Sequence, residues 1–150
     1  MGEARSSEFI EAPVKEVHIY ARDPRKWRVW FVNFHGPDEM TGDGGVGTII
    51  EARYSILGNK LPVTIEVMED RKDFWRGKIT GVMNGELTAS QLLQDEGTEF
   101  IMEWKYTLSM GKIGKIADSS AIEKIIGRSL ANSVENLKTI CESASYLVSH

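Results

Sequence analysis

Apolar and polar residues alternate through most of this chain, and the spacing changes to that of a helix only near its two ends. From Thr98 to Leu108, Phe100, Met102, Trp104, Tyr106 and Leu108 fall on one face and Glu99, Glu103, Lys105 and Thr107 on the other. A period of two held over that length predicts a strand with one buried side. The same alternation sets Thr48, Ile50, Ala52, Tyr54 and Ile56 against Glu51 and Arg53, and sets Leu61, Val63, Ile65 and Val67 against Thr64 and Glu66. Two further strands are predicted over Phe74 to Met83 and Glu86 to Leu93. Turn signals separate them: Gly58-Asn59, then Asn84-Gly85, whose residues tolerate the positive φ of a type I′ hairpin turn, then Asp95-Glu96-Gly97.

At the N-terminal end, Ser7 to Glu11 reads as a short first strand that stops at Ala12-Pro13. Val14, Val17 and Ala21 then recur at helical spacing, and Pro13 suits the first turn of that helix. Asp23-Pro24 breaks it and opens a second short helix with an aromatic side of Trp27, Trp30 and Phe31. Gly36-Pro37 and the glycine-rich run Gly42 to Gly47 punctuate the strand that follows.

The C-terminal end is one long amphipathic helix, from about Ser120 to Ala144. Ser120-Ala121-Ile122-Glu123 has the form of a capping box, and Ile122, Ile126, Leu130, Val134, Leu137 and Cys141 make a stripe that must be buried. The sheet is its candidate partner. Laying a last helix over the open side of a curved sheet is how a small protein encloses a cavity. The glycine-interrupted connection Ser109 to Ala117, with Ile113 and Ile116, is expected to form a lip over it. The fold class is α+β in a single domain over residues 1–150. Residues 1–6 are expected as a flexible leader, although Met1-Gly2 to Ser6 formally fits the short and common myristoylation pattern.

A net charge of −4, with acids and bases interspersed, argues against nucleic-acid binding, which needs clustered cations to displace counterions. Cys141 is the one cysteine, so neither an intramolecular disulfide nor a thiolate metal cluster forms within a chain; a reducing, cytoplasmic setting is expected. No apolar run approaches the roughly 20 residues of a spanning helix, so stable membrane insertion is not expected.

Gly42-Asp43-Gly44-Gly45-Val46-Gly47 satisfies G-x-G-x-x-G, but Thr48-Ile49-Ile50 continues as a strand, where a dinucleotide site requires a helix. A permissive turn is the expected reading. His18, His35 and His150 share no metal-ligand spacing, and neither a metal nor a cofactor is expected. His18 reads as a surface or hydrogen-bonded histidine; His35, in an aromatic strand with Phe31 and Phe34, is the better candidate acid or base. Glu66, Glu69 and Asp70 read as solvent-facing or turn residues. Tyr54, Gln91 and Tyr106 could orient a guest in an apolar pocket or equally pair inside the fold.

Ala12-Pro13-Val14-Lys15-Glu16-Val17, Asp23-Pro24 with Trp27 and Trp30, Val46-Gly47-Thr48, Gly97-Thr98 and Asn136-Leu137-Lys138 occur in an order that spans nearly the whole chain. In this order they resemble the START-like, SRPBCC helix-grip superfamily, which includes Bet v 1-like and bacterial polyketide cyclase/dehydrase-like proteins. The resemblance implies a curved antiparallel sheet of about seven strands, with two short helices after the first, wrapped around the C-terminal helix and an apolar cavity. It implies a small hydrophobic or amphipathic ligand: a lipid, a polyketide-like molecule or an aromatic. The expected lining is Ile50, Tyr54, Val63, Ile65, Trp75, Ile79, Gln91, Phe100, Met102, Trp104 and Tyr106 from the sheet, with Ile122, Ile126, Leu130 and Leu137 from the helix. Such residues also fill ordinary cores; the small neighbours Gly77, Ala89 and Ala52, with the resemblance, favour a cavity. The alternatives are a cyclase or dehydratase in the same cavity, using His35 or Tyr54, and a protein-interaction or co-chaperone module. A monomer or weak homodimer is expected.

Overall fold

The structure, a computed structural model, describes residues 2–108 and 119–149, with the side chains of the last helix described from 120 to 144. The alternating segments form β1 (Gly2–Ile10), β2 (Phe34–Thr41), β3 (Ile49–Ile56), β4 (Asn59–Arg71), β5 (Phe74–Gly81), β6 (Met83–Gln94) and β7 (Gly97–Leu108). They pair antiparallel in one seven-stranded sheet ordered β1-β7-β6-β5-β4-β3-β2. Strands β2 to β7 are a meander, and β1 comes back to pair with the last strand. The chain between β1 and β2 therefore has to travel from one edge of the sheet to the other. It does so as α1 (Val14–Ala21), a 3₁₀ turn (Pro24–Lys26) and α2 (Trp27–Trp30). The last helix, α3 (Ser119–Ser149), buries its expected stripe: Ile122, Ile126, Leu130, Val134 and Leu137 are fully buried and Cys141 nearly so. This is the helix-grip arrangement, START/Bet v 1-like in its order of elements.

Several sequence expectations need correction. Residues 2–6 are not a flexible leader: they belong to β1, with Gly2 opposite Tyr106 and Ala4 opposite Trp104. Their alternation is weak because the inner phase carries only Gly2, Ala4 and Ser6, small residues with little apolar surface, so it gave no strand signal. Asn84-Gly85 is not a turn. The chain reverses at Gly81-Val82, with Gly81 at φ 114°, and Gly85 lies inside β6 opposite Tyr106 and Ile79. Glycine is needed there for close approach, since a Cβ would overlap the carbonyl oxygen of Lys105. The β3–β4 hairpin turns on Leu57 and Gly58, both at positive φ, one residue ahead of the expected pair. Helix α3 starts at Ser119, so Ser120 lies inside its first turn. The expected lip, Ser109 to Ala117, lies outside the described residues.

Described side chains pack between sheet and α3. Trp104 packs edge-on to Tyr54 with centroids 5.0 Å apart, and Phe31 stacks on Phe34 at 5.6 Å. The Tyr54 hydroxyl donates to Ser129 Oγ at 2.6 Å, and Ser129 Oγ donates to the Val32 carbonyl at 2.8 Å. The Val32 amide donates to Ser133 Oγ at 2.8 Å. Two helix serines thus satisfy both backbone groups of Val32, where the chain leaves α2. At the far edge Lys138 Nζ donates to the Phe9 carbonyl at 2.6 Å, tying α3 to β1.

Candidate functional site

The concavity with chemical character lies under α1 and α2. The Asp23-Pro24 break is stabilised by Asp23 Oδ1, which accepts from the Arg25 amide at 3.1 Å. It lets α2 turn back over the sheet and bury Trp27, whose Nε1 donates to the Ala21 carbonyl at 2.8 Å. The Trp27 ring stands edge-on to Trp75 of β5 at 5.4 Å. Trp75 can lie across its own strand because Gly77 has no side chain: a Cβ there would sit 2.6 Å from the Trp75 Cη2. These rings, with Trp30 and Phe31 above and Leu87, Ala89 and Met102 below, wall a cavity of about 20 Å³.

Its open edge is polar. His18 on α1 and Arg22 at its C-cap, four residues apart, share one helix face. Arg22 Nε donates to Asp70 Oδ2 at 2.7 Å; His18 Nε2 lies 3.2 Å from Asp70 Oδ1, and His18 Nδ1 lies 3.3 Å from Gln91 Oε1. The His18 contact with Asp70 is off the hydrogen-bonding direction, so Asp70 Oδ1 is buried without a hydrogen bond. Which end of the Gln91 amide meets the ring follows from which imidazole nitrogen carries the proton.

Asp70 reaches this site because β4 has a bulge. The register shifts between Val67 and Glu69, so the inward phase set by Val63, Ile65 and Val67 passes to Asp70, directly opposite Trp75. Alternation alone sends Asp70 to solvent, and that expectation is corrected here. Sequence reasoning also missed Arg22, whose signal was its i, i+4 spacing from His18.

Of the expected lining, Trp75, Gln91 and Met102 border the cavity. Ile50, Tyr54, Val63, Ile65, Ile79, Phe100, Trp104, Tyr106, Ile122, Ile126, Leu130 and Leu137 are all buried in the core, and none of them lines it. The cavity walled by Trp27 and Trp75 therefore sits beneath the short helices. The two candidate acid–base residues are elsewhere. His35 faces an open groove and meets Ser55 Oγ at 2.6 Å; desolvation and the nearby Lys60 and Arg53 charges lower its pKa. Burial pushes the Tyr54 phenol up to about 12, against the hydrogen bonds of Ser129 and Asn33.

In the glycine-rich run the amides of Gly44, Gly45 and Gly47 donate to Thr48 Oγ1, Asp43 Oδ1 and the Val67 carbonyl, so these donors are not available to a phosphate. Among the described residues no group of three His, Cys, Asp or Glu side chains could hold a metal ion, and no helix is long and apolar enough to cross a membrane.

Residues 1–142 match the model of the family described as polyketide cyclase / dehydrase and lipid transport. The chain belongs to that family. A ligand-binding or cyclase role in general goes with membership of the polyketide cyclase / dehydrase and lipid transport family. No curated protein gives a significant match. Solved structures share the fold at low identity. TTHA0849 from Thermus thermophilus is 20% identical, with 95% of this chain and 99% of that one covered and a TM-score of 0.73. The Zhui aromatase/cyclase from Streptomyces sp. R1128 is 13% identical, with 93% of each chain covered and a TM-score of 0.73. Ara h 8.0201 is 10% identical, with 94% of this chain and 97% of that one covered and a TM-score of 0.66.

Proposed function

We propose that the protein binds a small hydrophobic or amphipathic molecule beneath α1 and α2, with apolar burial supplying the affinity and the polar edge choosing the orientation. The observation that carries this reading is an indole-walled cavity bordered on one side by His18, Arg22 and Gln91, the mix of apolar walls and few polar groups that ligand sites use. At about 20 Å³ the closed cavity holds roughly one water molecule. A larger guest therefore requires α1 and α2 to lift, with Asp23-Pro24 as the pivot and the Arg22–Asp70 pair as the latch. Each Å² of apolar surface withdrawn from water returns about 25 cal/mol toward that opening.

Three of the four tryptophans border the cavity, so indole fluorescence reports occupancy directly. Titration of ligand-stripped, folded protein with lipid, polyketide-like and aromatic libraries is expected to give a saturable change for at least one class. Absence of any saturable response across all three overturns the proposal.

Cyclase or dehydratase chemistry in the same cavity is a second reading, favoured by the placement of His18 beside Asp70. A carboxylate next to an imidazole can restrict how the ring turns, and a positioned imidazole is what general acid–base catalysis needs. Under this reading, His18→Gln abolishes turnover of a poly-β-ketone thioester and keeps its binding. Unchanged turnover excludes His18 as the base.

A further inference from the structure

We infer that the cavity recognises a neutral acceptor oxygen on its guest, such as a ketone, ester or amide carbonyl. This rests on the ligand-binding reading above and adds the chemistry of the guest's polar end. Three indoles border the cavity, and one of them, Trp27, has its N–H engaged by the Ala21 carbonyl. Trp30 and Trp75 are 3% and 4% exposed, and neither Nε1 has a hydrogen-bond partner within the protein. Buried donors are nearly always paired, because an unpaired one forfeits its water without compensation. Two residues that line one cavity each carry such a donor, which points to a partner that enters between their rings. Trp104 Nε1 is unpaired too, but Trp104 does not line the cavity.

An indole N–H donates and cannot accept, so its complement is an acceptor. The charges at the edge say which kind. Arg22 is already paired with Asp70, and Asp70 Oδ1 is buried without a hydrogen bond. A carboxylate guest would bring a second negative charge toward that oxygen in a site of low dielectric, whereas a carbonyl brings none.

The test is an isosteric series titrated by NMR against ¹⁵N-labelled protein: 2-acetylnaphthalene, 2-isopropenylnaphthalene and 2-naphthoate. The ketone is expected to bind about tenfold more tightly than the hydrocarbon, the effect of a hydrogen bond to a buried donor, and more tightly than the acid. Two of the four indole N–H cross-peaks should lie further downfield with the ketone than with the hydrocarbon, whose ring current both guests share. Trp30→Phe and Trp75→Phe keep an aromatic wall and remove the donors, so each should narrow the ratio of ketone to hydrocarbon affinity, whatever the loss of ring area does to both affinities together. Equal binding of ketone and hydrocarbon, tightest binding of the acid, or indole peaks no further downfield with the ketone than with the hydrocarbon overturns the inference and leaves the ligand-binding reading standing. The peak test needs no variant to fold. Failure of all three probes to bind counts against both.

Discussion

The Tyr54–Ser129 hydrogen bond joins β3 to α3 across the core, and a double-mutant cycle measures what it contributes. Both residues are buried, at 1% and 2% exposure, so water cannot replace a lost partner. Tyr54→Phe removes the phenolic oxygen and leaves Ser129 Oγ still donating to Val32, so the loss is that of one neutral hydrogen bond, about 1 kcal/mol. Ser129→Ala leaves the Tyr54 hydroxyl and the Val32 carbonyl both without this partner, which costs about 2 kcal/mol. Alanine's better helix propensity returns roughly 0.5 kcal/mol, but equally in the single and double variants, so it cancels from the cycle. The double variant no longer buries a hydroxyl deprived of Ser129 and is expected near 2 kcal/mol, giving a coupling of about 1 kcal/mol. Urea unfolding followed by far-ultraviolet circular dichroism, with unchanged m values, provides the four free energies. Additivity within about 0.3 kcal/mol would refute the clamp.

Two glycines test close approach against chain entropy. Gly85→Ala, which drives a methyl into the Lys105 carbonyl, is expected to cost about 2 kcal/mol or more. Gly127→Ala, on α3 with open space around it, should stabilise by about 1 kcal/mol in the same unfolding assay. Burial, with Glu16 and Glu142 nearby, raises the Cys141 thiol from 9.0 to about 12. A raised folded-state pKa adds stability that is complete below pH 9.0 and is lost as pH climbs toward 12. Melting temperatures between pH 8 and 11 should therefore fall, and fall less in Cys141→Ala; in the folded protein at pH 8 the thiol should react with a disulfide reagent at least ~100-fold more slowly than in urea. Asp70→Asn unlatches Arg22 and should cost about 1 kcal/mol, a difference that shrinks in 1 M salt; a salt-independent loss would point to packing instead.

Most of the scaffold could be read in the chain because its signals are local. Alternation in Phe100 to Leu108 and the stripe from Ile122 to Cys141 each need one face buried, and Val14–Ala21 has the residue bounds expected of it. The misread positions are those where a tertiary contact overrides a local signal. Gly85 looked like a turn residue because its dipeptide suits one, whereas its real constraint is a strand some twenty residues on. Asp70 looked exposed because a bulge cannot be seen in an alternation count. The cavity beneath α1 and α2 was not foreseen, because the position of a hollow depends on how large rings fill the space around it. Trp104, Tyr54 and Phe31 take the centre, and the gap is left where Trp27 and Trp75 meet edge-on.

Pairing the first strand with the last has a consequence for how the molecule is made. As the chain emerges from the ribosome, Gly2–Ile10 has no mate until Gly97–Leu108 has been synthesised. The intervening meander can zip up hairpin by hairpin, but the N-terminal ribbon and the short helices it leads into must wait. Closure of such distant ends is slow, because the entropy of a long loop is spent before its contacts form. Nascent chains stalled before residue 97 should thus expose Ile10 and Val17 to chaperones, and release of a few more residues should bury them together.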